Sequence, residues 1–409
     1  MARFSSKLSP ELEAAVNYRQ INQSIAITNE WKEPERRQEL FNRYFKWRVV
    51  SHDLDHTHYM SVMTKDYDFE QKAWFAFTFG MTYRTPQSFA YTETFKDFHA
   101  TSLDEIEVWH AANWKRTTYG TDARYNKGHF HSQCKSLKAW LNGKTFKQKF
   151  DSILVHDTQR KNFYALYAEV MSLYKFGRMT GWLTMQSLYD LLQLPIDPED
   201  IMLDGFSPNN DSSMQSIWNG LCALTLQPEK MLGKYGAYQC TDKDVAWGKE
   251  MLMHFTQEAQ KSAGFKIDSF RCESIYCQWK RLWGSELSKE YPGHASGDAT
   301  SRYMYYRDNW PEIDWSNFRE SLRQQPGIIK GMTFVDYFNQ VFGATGVMMN
   351  MHEMFPDMPN GYLALDIDPN KYKVREIWTD DNLSVPTVDI TASTYLSDIK
   401  TTPHYYEVI

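Results

Sequence analysis

The sequence predicts a mainly α-helical fold, and three observations carry that expectation. Helix-start signals recur along the chain, apolar residues repeat at three- and four-residue spacing, and strand signals are few. Phe163, Leu166, Tyr167, Val170 and Tyr174 keep the helical period and predict a helix over about 158–175, ended by Gly177. A second helix over 179–194 stops at Pro195, whose ring cannot continue it. Ser9-Pro10 reads as an N-cap with proline at the first helical position, and no Gly or Pro follows before Trp31. Asp68-Phe69-Glu70-Gln71 and Ser102-Leu103-Asp104-Glu105 read as capping boxes, and Thr85-Pro86 opens another helix. Further helices are expected at about 33–50, 211–224, 241–262, 268–284 and 333–343, with 284–331 rich in loops. The strand signals, 362–367 and 373–378, flank Pro369-Asn370 as a hairpin would. The organisation expected is a helical body over 1–344 and a small extension over 345–409 whose short strands pack on it.

Composition bounds what such a chain does. Its 409 residues are 42% hydrophobic and 23% charged, the balance of a globular protein. Aromatic residues reach 15%, with 25 Tyr, 24 Phe and 14 Trp; rings of that number fill a core or make platforms for bases. No apolar run approaches the roughly 20 residues that span a bilayer, and no secretory signal opens the chain. The five cysteines include no metal-type pair, which suits reduced thiols in a cytoplasm. No P-loop, GxGxxG or GxSxG motif is present, which disfavours kinase, dinucleotide and α/β-hydrolase chemistry. His52-Asp53-Leu54-Asp55-His56-Thr57-His58 is rich in ligand types, but it reads as a hydrogen-bonded helix end. No metal and no cofactor is assigned.

Charge is distributed unevenly. The whole chain carries −6, yet residues 113–150 hold nine basic residues and one acid, Asp122. Phosphate contacts supply most non-specific affinity for DNA, so this segment is where a backbone would dock, with Lys115, Arg116, Lys135 and Lys138 as contacts. Trp114, Tyr119, Tyr125 and Trp140 interleave with it as a stacking surface would, Tyr125 foremost. The competing expectation is a solvated face balanced by acids from elsewhere.

Three smaller constellations bear on chemistry. In Arg124-Tyr125-Asn126-Lys127-Gly128-His129, two cations three apart suit a diphosphate, and Gly128 suggests a backbone that approaches something closely. Arg178 follows Gly177 at a helix junction between apolar segments, where a guanidinium must meet an anion or reach water. On 268–284, Ile275, Trp279 and Leu282 form an apolar stripe, while Glu273, Cys277 and Lys280 share the other face. An acid, a thiol and an ammonium there suit a base, a nucleophile and an anion clamp; a surface Glu/Lys face with an incidental thiol is the plainer alternative.

Four blocks in order resemble the α-glutamyl/putrescinyl thymine pyrophosphorylase superfamily, the phage-type amino acid:DNA transferases. They are Glu39-Leu40-Phe41-Asn42-Arg43-Tyr44-Phe45, Ala123-Arg124-Tyr125-Asn126-Lys127-Gly128-His129, Lys175-Phe176-Gly177-Arg178 and Cys272-Glu273-Ser274-Ile275-Tyr276-Cys277-Gln278-Trp279-Lys280. The resemblance implies a helical fold related to that of helix-hairpin-helix DNA glycosylases. It implies double-stranded DNA carrying pyrophosphorylated 5-hydroxymethyluracil as one substrate and a free amino acid, such as glycine or glutamate, as the other. On that reading Arg124, Lys127, Arg178 and Lys280 hold the pyrophosphate, Glu273 or His129 takes the amine's proton, and Cys277 attacks the pyrimidine ring. A glycosylase-like base-flipping enzyme and a non-catalytic DNA-binding phage protein are the alternatives.

Overall fold

The computed structural model describes residues 37–39, 41–42, 45, 57–233, 236–280, 306–322 and 407–408. Among them the chain is mainly helical. The helices are α1 (Thr57–Met63), α2 (Phe69–Thr82), α3 (Thr85–Thr94), α4 (Leu103–Ala112), α5 (Phe130–Leu141), α6 (Phe146–Ile153), α7 (Gln159–Met171) and α8 (Arg178–Leu192). They continue with α9 (Ser212–Thr225), α10 (Asp242–Ala263), α11 (Ser269–Trp279) and α12 (Ser316–Leu322). Two 3₁₀ segments lie at Thr121–His129 and Pro228–Lys230. The described strands are β1 (Phe265–Lys266) and β2 (Glu407–Val408), paired antiparallel with Phe265 opposite Val408. The expected hairpin at 362–378, the first helix, the helix at 333–343 and the 344/345 boundary all lie outside the described residues.

Local chemistry sets these ends. Asp68 and Ser102 form the capping boxes their spacing predicts, satisfying amides that a helix start leaves orphaned. Thr145 and Thr241 form two more, and Thr158 and Asp211 cap α7 and α9. The end of α7 differs from expectation. It closes at Ser172, whose amide reaches the carbonyls of Ala168, Glu169 and Val170, and Gly177 instead opens α8 in an extended conformation. The turn between them uses Lys175 at φ 60, so the chain reverses before the glycine is reached.

The described residues fall into two compact units, one drawn from within His56–Glu199 and Ala299–Arg323, the other from within Met1–Asp55, Asp200–Asp298 and Gln324–Ile409. In the first, α2 is buried continuously from Ala73 to Thr82, and α8 is buried almost throughout. A helix apolar on all sides belongs at a centre, and α2 packs along α8 there. Their close approach requires Gly80: a Cβ would stand 2.0 Å from Thr184 Oγ1 and 2.8 Å from the Thr180 carbonyl oxygen. The aromatic excess fills the surrounding layer. Trp74 stacks on Phe98 and Tyr91 on Phe130, each with centroids 4.0 Å apart, and Phe77 stacks on Phe146 at 5.4 Å. Such pairs add about 0.5–1.5 kcal/mol each beyond the area they bury.

In the second unit α9 and α11 cross at Gly220, where a Cβ would stand 2.2 Å from the Tyr276 carbonyl oxygen. Asn219 exchanges two hydrogen bonds with the Leu232 backbone, and Trp218 Nε1 donates to the Lys230 carbonyl at 2.6 Å. Phe41 packs against Tyr276 and Trp279, with centroids at 5.1 and 5.2 Å. Asp268 caps α11 through the Arg271 amide and pairs with the Arg271 guanidinium at 2.8 Å, both side chains buried.

Candidate functional site

The first cluster is built on the 3₁₀ segment Thr121–His129 of the first unit. With three residues per turn, Arg124 and Lys127 lie on one face, about 6 Å apart along the axis. Arg124 is exposed, donates to the Tyr125 hydroxyl at 2.9 Å and stands 4.9 Å over the Tyr125 ring. Lys127 is half-buried: its Nζ donates to the Thr117 carbonyl at 2.8 Å and lies 4.5 Å from the Trp114 ring centroid. Desolvation lowers the Lys127 pKa from its usual value. His129 caps α5 by position, with Nδ1 3.4 Å from the Tyr174 hydroxyl. Tyr174 belongs to the turn before α8, held by its amide to Ser136 Oγ at 2.9 Å, and four residues on comes Arg178. Arg178 is buried, at 7% exposure, in the first turn of α8, where backbone amides also favour an anion. Gly128 departs from expectation, because no backbone crowds it. A Cβ there would meet only the Trp114 ring, at 3.9 Å.

The rest of the basic segment divides by what each cation touches. Lys115 and Lys135 stand exposed. Arg116 stacks 3.7 Å over Trp310, donates to the Asn309 carbonyl and pairs with Glu312, so its charge is used inside the fold. Lys138 donates to the carbonyls of Phe98, at 2.5 Å, and His99, at 3.2 Å. Lys149 pairs with Glu169, which also accepts from Trp140 Nε1 at 2.7 Å. Of the four interleaved rings, Trp114 and Tyr125 are exposed; Tyr119 is buried against Tyr91, and Trp140 is half-buried.

Sequence reasoning passed over His110. It lies on the buried stripe of α4 with Ile106, four residues earlier, and its ring packs against Trp114, Phe130 and Tyr91. Burial first, then the charge of Lys127, push its pKa down to about 4, so the ring is neutral at pH 7. A histidine at i+4 from a core isoleucine was the available signal.

The second cluster is on α11, in the second unit. Ile275 and Trp279 are buried as predicted, while Glu273, Cys277 and Lys280 are half-buried. Lys280 Nζ lies 3.4 Å from Cys277 Sγ and donates to Ser216 Oγ at 2.8 Å. Ser216 is one turn before Gly220 on α9, and Lys280, just past the end of α11, is one turn after Tyr276. The contact therefore follows from the antiparallel crossing that Gly220 permits. Serine and glycine four apart on a helix are compatible with such a crossing, but nothing in the sequence ties Ser216 to Lys280. The contact sets an ammonium donor against the sulfur of Cys277.

A separate surface cavity of about 580 Å³ is lined by His156, Thr158, Arg160, Lys161, Tyr164 and Glu199, none of them predicted. Its two cations are engaged: Arg160 donates to the Pro198 carbonyl at 3.0 Å, and Lys161 pairs with Asp157 at 2.9 Å. Among the described residues no cluster of three His, Cys, Asp or Glu is placed to hold a metal ion, and no helix is long and apolar enough to cross a membrane.

The first unit presents a basic, aromatic face along Thr121–His129, and the second carries an acid, a thiol and an ammonium together at α11. The family model for amino acid:DNA transferases matches residues 49–288, more than half of the chain, and the chain belongs to that family. It is also 25% identical, over 190 residues, to the serinyltransferase of Salmonella phage ViI. That alignment covers 43% of this chain and 42% of the relative, so the chain spans less than half the length of the curated protein it matches. No solved structure matches.

Proposed function

We propose that this protein modifies thymidine-derived bases in DNA, displacing pyrophosphate from 5-(pyrophosphoryloxymethyl)uracil with the amine of a free amino acid. The observation that carries the reading is that every residue assigned to the chemistry, from Lys115 to Lys280, lies within the matched span 49–288. In the reaction the amine lone pair forms a C–N bond at the C5 methylene. The C–O bond breaks, and pyrophosphate leaves with its electron pair. The charge that develops on the leaving group calls for preorganised cations. Arg124 and Lys127 supply two from one face, and Arg178, in the same unit, adds a third at a helix start. Glu273 or His129 accepts the proton the amine must shed.

The C5 methylene is allylic to the ring, so electron push from C6 assists departure. Cys277 thiolate adds to C6, pyrophosphate leaves, the amine adds to the exocyclic methylene, and the thiolate departs as the ring recovers. Lys280, held by Ser216, lies against the sulfur. The base must leave the stack to react, at about a few kcal/mol, which stacking on exposed rings offsets. The test is incubation with DNA carrying the pyrophosphorylated base and a mixture of amino acids, followed by nucleoside analysis. An aminoacylated thymidine with released pyrophosphate supports the reading; an abasic site indicates a glycosylase; unchanged nucleosides with salt-sensitive binding indicate a DNA-binding protein alone.

A further inference from the structure

The exposed aromatic residues among the described ones are Trp114, Tyr125 and Tyr174, at 45%, 67% and 43% exposure, and all three lie along Thr121–His129. Tyr125 is in the segment itself. Trp114 lies against Lys127 and beside Gly128, and Tyr174 lies against His129, with ring centroids 5.8 Å apart. The order along the segment is therefore Tyr125, Trp114, Tyr174. Each ring has its own basic partner: Arg124, Lys127 and His129. From residue 125 to residue 129 a 3₁₀ helix rises about 8 Å. Three exposed rings along a segment of that length can engage a short run of consecutive nucleotides.

Exposed rings in a row are the chemistry of single-strand binding, where bases stack on aromatic faces. Paired bases inside a duplex keep their faces covered by neighbours. Gly128 adds an independent sign. A Cβ at this exposed position would come within 3.9 Å of the edge of the Trp114 ring, and glycine keeps that edge open. We propose that Trp114, Tyr125 and Tyr174 form a stacking track for unpaired nucleotides flanking the target base, so that the enzyme engages its DNA as a locally opened strand. The inference rests on the reading of DNA as substrate and specifies the form in which the DNA is bound.

The experiment is fluorescence anisotropy with unmodified, labelled oligonucleotides and no amino acid: a single strand, the perfect duplex, and that duplex with a three-nucleotide bulge. The single strand and the bulged duplex bind at least about tenfold more tightly than the perfect duplex. Trp114→Ala and Tyr174→Ala each weaken single-strand binding by about 5- to 100-fold, the range base–ring stacking gives, with unchanged thermal melting. Gly128→Leu, which places a side chain at that edge of the Trp114 ring, weakens it likewise. Equal affinity for strand and perfect duplex, or full binding by the three variants, overturns the track. Because no modified base or donor is present, the two ideas fail separately. Transfer without strand preference overturns the track alone, and strand preference without transfer overturns the reaction alone.

Discussion

Lys280 Nζ stands 3.4 Å from Cys277 Sγ, and Ser216 Oγ, 2.8 Å from the same nitrogen, holds it there. The other thiols are poor competitors for an electrophile. Cys134, Cys222 and Cys272 are buried, and burial pushes the Cys240 thiol up to about 12. Limiting iodoacetamide at pH 7 therefore labels Cys277 first among these five. Ser216→Ala and Lys280→Met each slow that labelling several-fold, and peptide mapping by mass spectrometry checks it. Preferential labelling of another cysteine, or rates indifferent to both variants, would remove the activated-thiol argument.

Gly220 fixes the crossing that makes this contact. With a Cβ 2.2 Å from the Tyr276 carbonyl oxygen, Gly220→Ala must push α9 and α11 apart. The expected loss is about 1–3 kcal/mol in urea unfolding, the usual range for overpacking, together with slower Cys277 labelling. Gly128→Ala is the contrast. Its Cβ meets nothing nearer than 3.9 Å, and its stability stays within about 0.5 kcal/mol.

His110 gives the protein a defined acid response. Its folded-state pKa of about 4 lies below the usual 6.5. The unfolded chain takes up a proton below about 6.5 that the folded chain refuses until about 4, so acid favours unfolding across that window. This group's contribution is fully present above 6.5, shrinks as pH falls toward 4, and amounts to at most about 3 kcal/mol. His110→Phe suits the surrounding rings and removes the titration. Melting temperature plotted against pH between 4 and 6.5 then flattens; an unchanged slope would place the proton uptake elsewhere.

Arg124→Ala separates catalysis from folding. The side chain is exposed, so melting changes little, within about 0.5 kcal/mol. Loss of one cation at the leaving group lowers turnover by about 10²–10³-fold. Single-turnover rates at saturating DNA measure it, and a rate equal to that of the unaltered protein would contradict the role.

Much of the fold could be read from residues that act locally. Asp68 and Ser102 announce helix starts because a side-chain oxygen and a Gln or Glu three residues on satisfy nearby amides whatever the tertiary context. Gly177 was misread because a glycine after an apolar period looks like a C-cap; only the chain reversal at Lys175 shows that the helix had already closed. The Glu273, Cys277 and Lys280 face was legible from helical spacing, but Ser216, 64 residues before Lys280, depends on a helix crossing that spacing within α11 does not show. The basic run was visible as charge. That Arg116 and Lys138 turn inward while Trp114 and Tyr125 face solvent depends on distant partners: Trp310 and Glu312 for one, the Phe98 and His99 carbonyls for the other.

In the proposed reaction an amino acid's nitrogen replaces pyrophosphate on a base still attached to DNA. The most direct measurement uses DNA carrying 5-(pyrophosphoryloxymethyl)uracil and ¹⁵N-labelled amino acids, with nucleoside mass spectrometry and a pyrophosphate assay on the same samples. Displacement yields a ¹⁵N-containing thymidine adduct and pyrophosphate in equal amounts. Pyrophosphate released with 5-hydroxymethyluridine as the product, or an adduct without pyrophosphate release, would contradict it.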